Sequence, residues 1–153
     1  MAKKLILLVE DNPDDEALTL RSIRRAGFTG DVVVAHDGVE ALEYLQAATG
    51  AGGDETPIRP DLVMLDLKMP RIGGLELLRI IRTDMVLQGV PVVVFTSSNE
   101  ECDVLESYRL GANSYIRKPV EFVHLSETVR NLLVYWLELN ISPVRFTPRP
   151  SVT

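Results

Sequence analysis

Leu62-Val63-Met64-Leu65-Asp66 places a carboxylate directly after a run of apolar residues. Three other strand-like runs also lead into polar residues: Leu5–Val9 precedes Glu10-Asp11, Val92–Phe95 precedes Thr96, and Asn113–Arg117 precedes Lys118-Pro119. If all four runs are parallel strands of one sheet, their carboxyl ends meet at one edge. That edge would gather three carboxylates, one hydroxyl and one amine, a set suited to a divalent cation and a phosphoryl group.

The order of predicted elements gives the fold class. Short apolar runs alternate with segments of helical period. Asn12 suits a helix N-cap and Gly27 suits the position just beyond a helix C-terminus. The predicted strands cover about residues 4–9, 31–35, 61–66, 91–96 and 112–117, and the predicted helices about 12–27, 37–48, 75–85, 100–110 and 119–136. Five strands alternating with five helices indicate an α/β protein with a doubly wound parallel sheet covered on both faces.

The common five-stranded arrangement of this class is the flavodoxin-like order 2-1-3-4-5, in which the first strand lies beside the third. Ligands bind in such folds outside the carboxyl ends of the strands, where the strand order reverses. Glu10, Asp11 and Asp66 lie at that point in the predicted sheet. Residues 49–60 are rich in Gly and Pro and predict an exposed loop.

Length and charge exclude several classes of protein. The 153 residues fit one domain, which we expect at 1–136, followed by an arm at 137–153. A net charge of −6 does not favour a nucleic-acid partner. The apolar runs are too short to span a bilayer and no segment resembles a cleaved signal peptide, so we expect a cytoplasmic protein without membrane contact. Cys102 is the sole cysteine, which excludes an intramolecular disulfide.

The chemistry of the strand ends points to phosphoryl transfer. Clustered carboxylates repel one another, and Mg²⁺ removes that conflict while binding carboxylate oxygens and phosphate. Asp11 and Asp66 are the expected direct ligands, and the longer Glu10 is expected to act through water. An aspartate that attacks phosphorus forms an acyl phosphate, so Asp66 is the expected acceptor. Lys118 supplies positive charge and Thr96 a hydroxyl donor for a phosphoryl oxygen.

Taken singly, each of these residues has an ordinary structural explanation, such as a helix cap or a solvated lysine. Together they match a family. The motifs LLVEDN at 7–12, MLDLKMP at 64–70, VVVFTSS at 92–98 and SYIRKP at 114–119 resemble the receiver domain of two-component response regulators. The resemblance covers about residues 4–136 and implies the flavodoxin-like fold.

The same resemblance assigns roles to individual residues. It implies that a histidine kinase phosphorylates Asp66, and that Mg²⁺ or Mn²⁺ is bound by Asp11, Asp66 and the backbone carbonyl of Lys68. It further implies that Glu10 reaches the metal through water and that Thr96 and Lys118 contact the phosphoryl group. Tyr115 matches the family's switch aromatic, which turns inward as Thr96 moves toward the phosphoryl group.

Two alternatives to a phosphoacceptor switch are open. Haloacid dehalogenase phosphatases also use an aspartate at a strand end, but a second aspartate normally follows two residues later, where this chain has Lys68. A dimeric adaptor with a receiver fold that acts without phosphorylation is the other, although no phosphorylation residue is missing. A switch would catalyse only its own phosphorylation and dephosphorylation and would not be a turnover enzyme. We also predict that Lys68 alters the lifetime of the phosphoryl group.

The C-terminal segment carries its own signal. Leu137, Leu139 and Ile141 alternate with polar residues, which predicts a strand or an extended arm. A frayed terminus is the alternative. The ending YWLELNISP and the long loop before the third strand resemble the small response regulators of bacterial phytochrome kinases. That resemblance implies a homodimer formed through the arm and a phytochrome-type histidine kinase as partner.

Overall fold

The computed structural model describes residues 3–51 and 59–145, and within them five strands form one parallel sheet. The strands are β1 (Leu5–Val9), β2 (Asp31–Ala35), β3 (Leu62–Leu65), β4 (Val92–Thr96) and β5 (Ser114–Arg117). Their order is β2-β1-β3-β4-β5, which confirms the predicted flavodoxin-like arrangement. All four neighbouring pairs are parallel.

Four α-helices connect the strands in the predicted alternation, and a fifth follows β5. They are α1 (Pro13–Arg25), α2 (Gly38–Gln46), α3 (Gly74–Thr83), α4 (Glu101–Arg109) and α5 (Phe122–Leu133). The side chain of Asn12 caps α1 by accepting from the backbone N–H groups of Asp14 and Asp15. Asp37 caps α2 through the N–H of Glu40. Gly27 follows α1 with a φ of +83°, the left-handed conformation that favours glycine.

The sheet is apolar on both faces because helices cover both. Along β1, Leu7 and Val9 face the side covered by α2 and α3, whereas Ile6 and Leu8 face α1 and α5. The same alternation holds along β3 and β4, whose side chains are buried throughout. A strand buried on both sides therefore appears in the sequence as an unbroken apolar run.

The expected loop at 49–60 differs from the structure at both ends. The chain continues from α2 through π-helical turns at Ala47–Ala51, and Arg59 and Pro60 are buried rather than exposed. Residues 52–58 lie outside the described part of the chain.

The prediction of extended backbone from residue 137 is wrong for its first residues. After α5 the chain continues in π-helical turns at Val134–Leu139 and then forms a 3₁₀ turn at Pro143–Arg145. Leu137 is buried against α5, whereas Leu139 and Ile141 are exposed. The apolar residues therefore alternate in sequence without sharing a face. Residues 146–153, including Pro148 and Pro150 of the expected arm, lie outside the described residues.

Candidate functional site

Strand pairing brings the predicted site residues to one edge of the sheet. Val9 at the end of β1 is paired with Leu65 at the end of β3, and the N–H of Asp66 donates to the carbonyl of Val9 at 3.1 Å. On the other side, the N–H of Lys118 donates to the carbonyl of Thr96 at 2.7 Å. Four positions therefore meet at this edge, as the parallel arrangement predicts. They are the residues that follow β1 and β3, the last residue of β4 and the residue after β5.

Three carboxylates cluster at this edge. Glu10, Asp11 and Asp66 each place an oxygen so that the three atoms lie within 4.8 Å of one another. Glu10 and Asp66 are buried, with 1% and 8% of their surface exposed. At an effective dielectric near 20, two such charges 4 Å apart repel by about 4 kcal/mol, an upper figure for a site open to water. When the three carboxylates and Lys118 are all ionised, the cluster carries a formal charge of −2, which fits a divalent cation with oxygen ligands.

Lys118 lies inside this cluster. Its Nζ contacts Oε1 of Glu10 and lies 3.6 Å from Oδ2 of Asp66 and 3.5 Å from Oδ2 of Asp15. Burial alone would lower the pKa of Lys118, but hydrogen bonding to Glu10 and the charge of Asp66 raise it above its usual value. The amine is therefore held as an ammonium beside the predicted acceptor.

Glu10 is the most buried of the three acids. Burial raises its pKa to about 7, although Lys118 acts in the opposite direction. Its Oε2 also accepts from the N–H of Asn12 at 3.2 Å. A carboxylate this buried needs positive charge nearby to stay ionised. Lys118 provides part of that charge, and a cation bound at the cluster would provide the rest.

The two oxygens of Asp66 have different surroundings. Oδ1 accepts from the buried hydroxyl of Thr96 at 2.7 Å and faces the backbone N–H of Lys68 at 3.5 Å. Oδ2 faces Lys118. Hydroxyl, amide and ammonium groups thus surround one carboxylate, which is an arrangement that can neutralise charge on a phosphoryl group.

The remaining predicted residues lie beside this cluster. The side chain of Lys68 is directed to Asp103, with Nζ 3.4 Å from Oδ2, and the role of its carbonyl as a metal ligand stays a prediction. The hydroxyl of the half-buried Tyr115 donates to the carbonyl of Ser98 at 2.9 Å. The inward movement of Tyr115 also stays a prediction.

Sequence reasoning did not find two residues next to the site, Asp103 and Ser98. The carboxylate of Asp103 accepts from the Ser98 hydroxyl at 2.5 Å and pairs with Lys68. Ser98 lies within the quoted VVVFTSS motif. Asp103 lies in the first turn of a helix, where an acidic residue has the ordinary explanation of favouring the helix dipole. No signal in the sequence separates that role from a contact with Lys68.

Comparison with known proteins assigns the family. The family model described as "Response regulator receiver domain" matches residues 6–130. The chain belongs to the response regulator receiver family. Receivers are signalling domains that take a phosphoryl group from histidine kinases and bind Mg²⁺ or Mn²⁺ in an acidic pocket. Among the described residues of this receiver, no helix combines the length and hydrophobicity that crossing a membrane requires.

Individual relatives resemble this receiver over most of their length. The probable methanogenesis regulatory protein FilR2 of Methanothrix harundinacea is 40% identical over 139 residues, which cover 91% of this chain and 87% of FilR2. Response regulator Rcp1 of Synechocystis sp. is 36% identical over 135 residues, covering 88% of this chain and 90% of Rcp1. These relatives extend the likeness beyond the matched family region.

Solved structures show the same fold. The phosphorylated cyanobacterial phytochrome response regulator RcpA has a TM-score of 0.84 at 37% identity, covering 93% of this chain and 99% of RcpA. The Mn²⁺-bound form of Rcp1 has a TM-score of 0.81 at 35% identity, covering 92% of this chain and 99% of Rcp1. The receiver therefore resembles regulators associated with phytochromes in both sequence and fold.

Proposed function

We propose that this receiver is a phosphoacceptor switch in which Asp66 takes a phosphoryl group from a sensor histidine kinase in a Mg²⁺-dependent reaction. The observation that carries the proposal is the surroundings of Asp66. One carboxylate oxygen meets the Thr96 hydroxyl, the other faces the Lys118 ammonium, and Glu10 and Asp11 complete an acidic cluster. In the reaction an oxygen of Asp66 bonds to phosphorus as the bond between phosphorus and the donor breaks.

Most of the catalytic effect comes from position and charge. The transition state spreads negative charge over the equatorial phosphoryl oxygens. Lys118 neutralises part of this charge from a buried position, and Thr96 donates its hydroxyl to one of the oxygens. Asp11, Asp66 and the carbonyl of Lys68 would hold the metal directly, with Glu10 acting through water. Bound there, Mg²⁺ or Mn²⁺ would supply two positive charges to the same oxygens.

The output is a change of surface. The phosphoryl group brings about −1.5 to −2 charges if it behaves as a phosphomonoester does. Thr96 already contacts Asp66, and Tyr115 is hydrogen-bonded to the carbonyl of Ser98, two residues beyond Thr96. A shift of Thr96 toward the phosphoryl group would therefore be transmitted to Tyr115. The surface formed by α4, β5 and the start of α5 would change as a result.

The partner proposal rests on likeness to RcpA, which is a phytochrome response regulator. A phytochrome-type histidine kinase in the cytoplasm is the proposed phosphodonor, and no nucleic-acid or membrane contact is part of the proposal. A homodimer through the C-terminal segment is supported by Leu139 and Ile141, which are 68% and 74% exposed at the end of the described chain. Sedimentation of the chain with and without phosphodonor would measure whether a dimer forms and responds.

The experiment that tests this function is incubation with Mg²⁺ and acetyl phosphate, followed by intact-mass measurement. We expect one added phosphoryl group, abolished in Asp66→Ala. Asp31→Ala is the matched control, because Asp31 is an exposed aspartate at the opposite end of a strand, and it should retain the adduct. Catalytic release of phosphate from phosphomonoesters would indicate a hydrolase instead. Neither adduct nor release would indicate an adaptor that acts without phosphorylation.

Mg²⁺ is expected to stabilise the folded chain because the carboxylate cluster is assembled only on folding. A free concentration of 100 times the dissociation constant would add about 2.7 kcal/mol, which raises the melting temperature by several degrees. Asp11→Asn should abolish most of this shift, whereas Asp14→Asn, in the exposed first turn of α1, should preserve it. Thermal melts at constant ionic strength provide the measurement. An equal shift in the Asp11→Asn variant would contradict the metal site.

A further inference from the structure

We propose that Asp103 in α4 is a positioning residue that holds the Lys68 ammonium away from Asp66 and thereby sets the lifetime of the phosphoryl group. The inference rests on the proposed function and extends it to a residue that no motif of the sequence singles out. Its basis is an ion pair between the loop that carries the acceptor and the helix that follows β4.

The backbone of Lys68 lies beside the acceptor, Asp66, whereas its side-chain ammonium lies beside Asp103. The backbone N–H of Lys68 lies 3.5 Å from Oδ1 of Asp66, so its Cα borders the place where a phosphoryl group would stand. Its Nζ nevertheless lies 3.4 Å from Oδ2 of Asp103, and the side chain is 62% exposed. A four-carbon stem in an exposed position can turn from one anion to the other.

Asp103 is fixed more firmly than Lys68. Only 8% of Asp103 is exposed, and the oxygen that pairs with Lys68 also accepts from the Ser98 hydroxyl at 2.5 Å. The carbonyl of Ser98 accepts in turn from Tyr115. The carboxylate is thus a fixed anchor in the first turn of α4, and Lys68 is the mobile partner of the pair.

Phosphorylation of Asp66 would place a second anion within reach of Lys68. The phosphoryl group brings more negative charge than the single carboxylate of Asp103, and the ion pair with Asp103 leaves the Lys68 side chain largely in solvent, where such pairs contribute little to stability. Lys68 would therefore divide its time between Asp103 and the phosphoryl group. Asp103 determines how much of that time Lys68 spends away from the phosphoryl oxygens.

The position of Lys68 matters for loss of the phosphoryl group. In hydrolysis a water oxygen bonds to phosphorus opposite the Asp66 oxygen, and the bond from phosphorus to that oxygen breaks with its electron pair. The products are the Asp66 carboxylate and inorganic phosphate, and the protons of the water pass to phosphate and solvent. A lysine stem lying over the phosphoryl group obstructs the approach of water. Without Asp103 to hold it, Lys68 covers the group for longer.

The test is a double-mutant cycle on the half-life of phosphorylated protein after acetyl phosphate is removed. Asp103→Asn preserves the size of the side chain and an oxygen that can accept from Ser98. We expect it to lengthen the half-life at least threefold in the native background and by less than about 1.5-fold in the Lys68→Met background. Glu106→Gln is the matched control, because it removes an α4 ion pair with Arg109 that does not reach the site. Its half-life should equal that of the native protein.

Equal factors in the two backgrounds would overturn the proposal, since Asp103 would then act through the structure of α4 and not through Lys68. An unchanged half-life in Asp103→Asn would also overturn it. If Asp103→Asn fails to fold, Lys68→Met is the deciding variant, because Lys68 is exposed and its replacement should not disturb folding. The phosphoryl half-life of Lys68→Met should be at least twofold shorter than that of the native protein. Equal half-lives in the two proteins would refute the proposal. A native protein that takes no phosphoryl group would refute the proposed function as well, which separates the two failures.

Discussion

Replacing Gly74 with alanine is expected to destabilise the protein by about 2 kcal/mol or more, even though alanine favours a helix by about 1 kcal/mol over glycine. A Cβ at this first residue of α3 would lie 2.4 Å from the carbonyl oxygen of Asp66 and 2.7 Å from Cα of Leu67. Both atoms belong to the backbone that carries the acceptor, so neither can turn aside. Urea denaturation monitored by circular dichroism measures the loss.

Gly73 offers a matched control one residue away. A Cβ there would meet only the carbonyl oxygen of Leu67 at 3.7 Å, an ordinary contact, among the atoms around it. Its φ of −74° is accessible to any residue. Gly73 is the N-cap of α3, where alanine is less favourable than glycine, so Gly73→Ala should cost less than about 1 kcal/mol, well below the loss expected for Gly74→Ala. Equal losses in the two variants would mean that flexibility of the turn, and not the close approach of Gly74 to Asp66, is what the glycines provide.

Gly74→Ala is also expected to slow phosphorylation of Asp66. To admit the new methyl group, the Asp66–Leu67 backbone must move, and Asp66 would lose its 2.7 Å hydrogen bond from Thr96. The rate of adduct formation with acetyl phosphate should fall in Gly74→Ala and stay near the native rate in Gly73→Ala. A destabilised variant that is phosphorylated at the native rate would show that the backbone relaxes on the helix side instead.

The fold was predictable because its three central strands are buried on both faces. The unbroken apolar runs of β1, β3 and β4 indicate a parallel sheet, and the polar residues that end them mark the edge where ligands bind. The start of β5 was harder to place. Its ladder begins at Ser114 and not at Ala112, because the Asn113 side chain, instead of a strand carbonyl, accepts the N–H of Val92. A side chain that replaces a backbone acceptor leaves no pattern in the sequence.

The C-terminal segment misled the prediction for a different reason. Three apolar residues at every second position fit a strand, but only Leu137 lies four residues beyond a buried core residue of α5, Leu133. Burial of Leu137 favours continued helical turns over extended backbone. Three residues are too few to define a hydrophobic period. The local backbone conformation depends instead on which of the three packs against the core.

The positions of site residues that depend only on the sheet topology were predictable from the sequence. Contacts that depend on side-chain conformation were not. Glu10, Asp66, Thr96 and Lys118 follow from strand ends in a known order. The pairing of Lys68 with Asp103 depends on how a flexible side chain reaches from the loop after β3 to the first turn of α4, and neither spacing nor periodicity in the sequence indicates it.

Arg82 near the end of α3 offers the second large effect: Arg82→Met is expected to cost about 2–4 kcal/mol, from two or more acceptors left without a partner. Its guanidinium donates to the carbonyls of Gly111, Gln88 and Val90 at 2.8, 2.9 and 2.8 Å. It also donates to Oδ1 of Asn113 at 2.7 Å. Burial lowers the pKa of Arg82, and the four oxygen acceptors replace part of the solvent that would otherwise stabilise its charge.

Methionine preserves much of the apolar stem that packs beside Gly111, so the loss would report the hydrogen bonds more than the packing. Arg79→Met is the control on the same helix, since Arg79 makes an exposed ion pair with Glu76 and should cost less than about 0.5 kcal/mol. Because Asn113 precedes β5 and Lys118 follows it, Arg82→Met should also loosen the strand that positions Lys118. Urea denaturation of both variants gives the comparison, and losses within about 0.5 kcal/mol of each other would show that the carbonyls around Arg82 are satisfied by water.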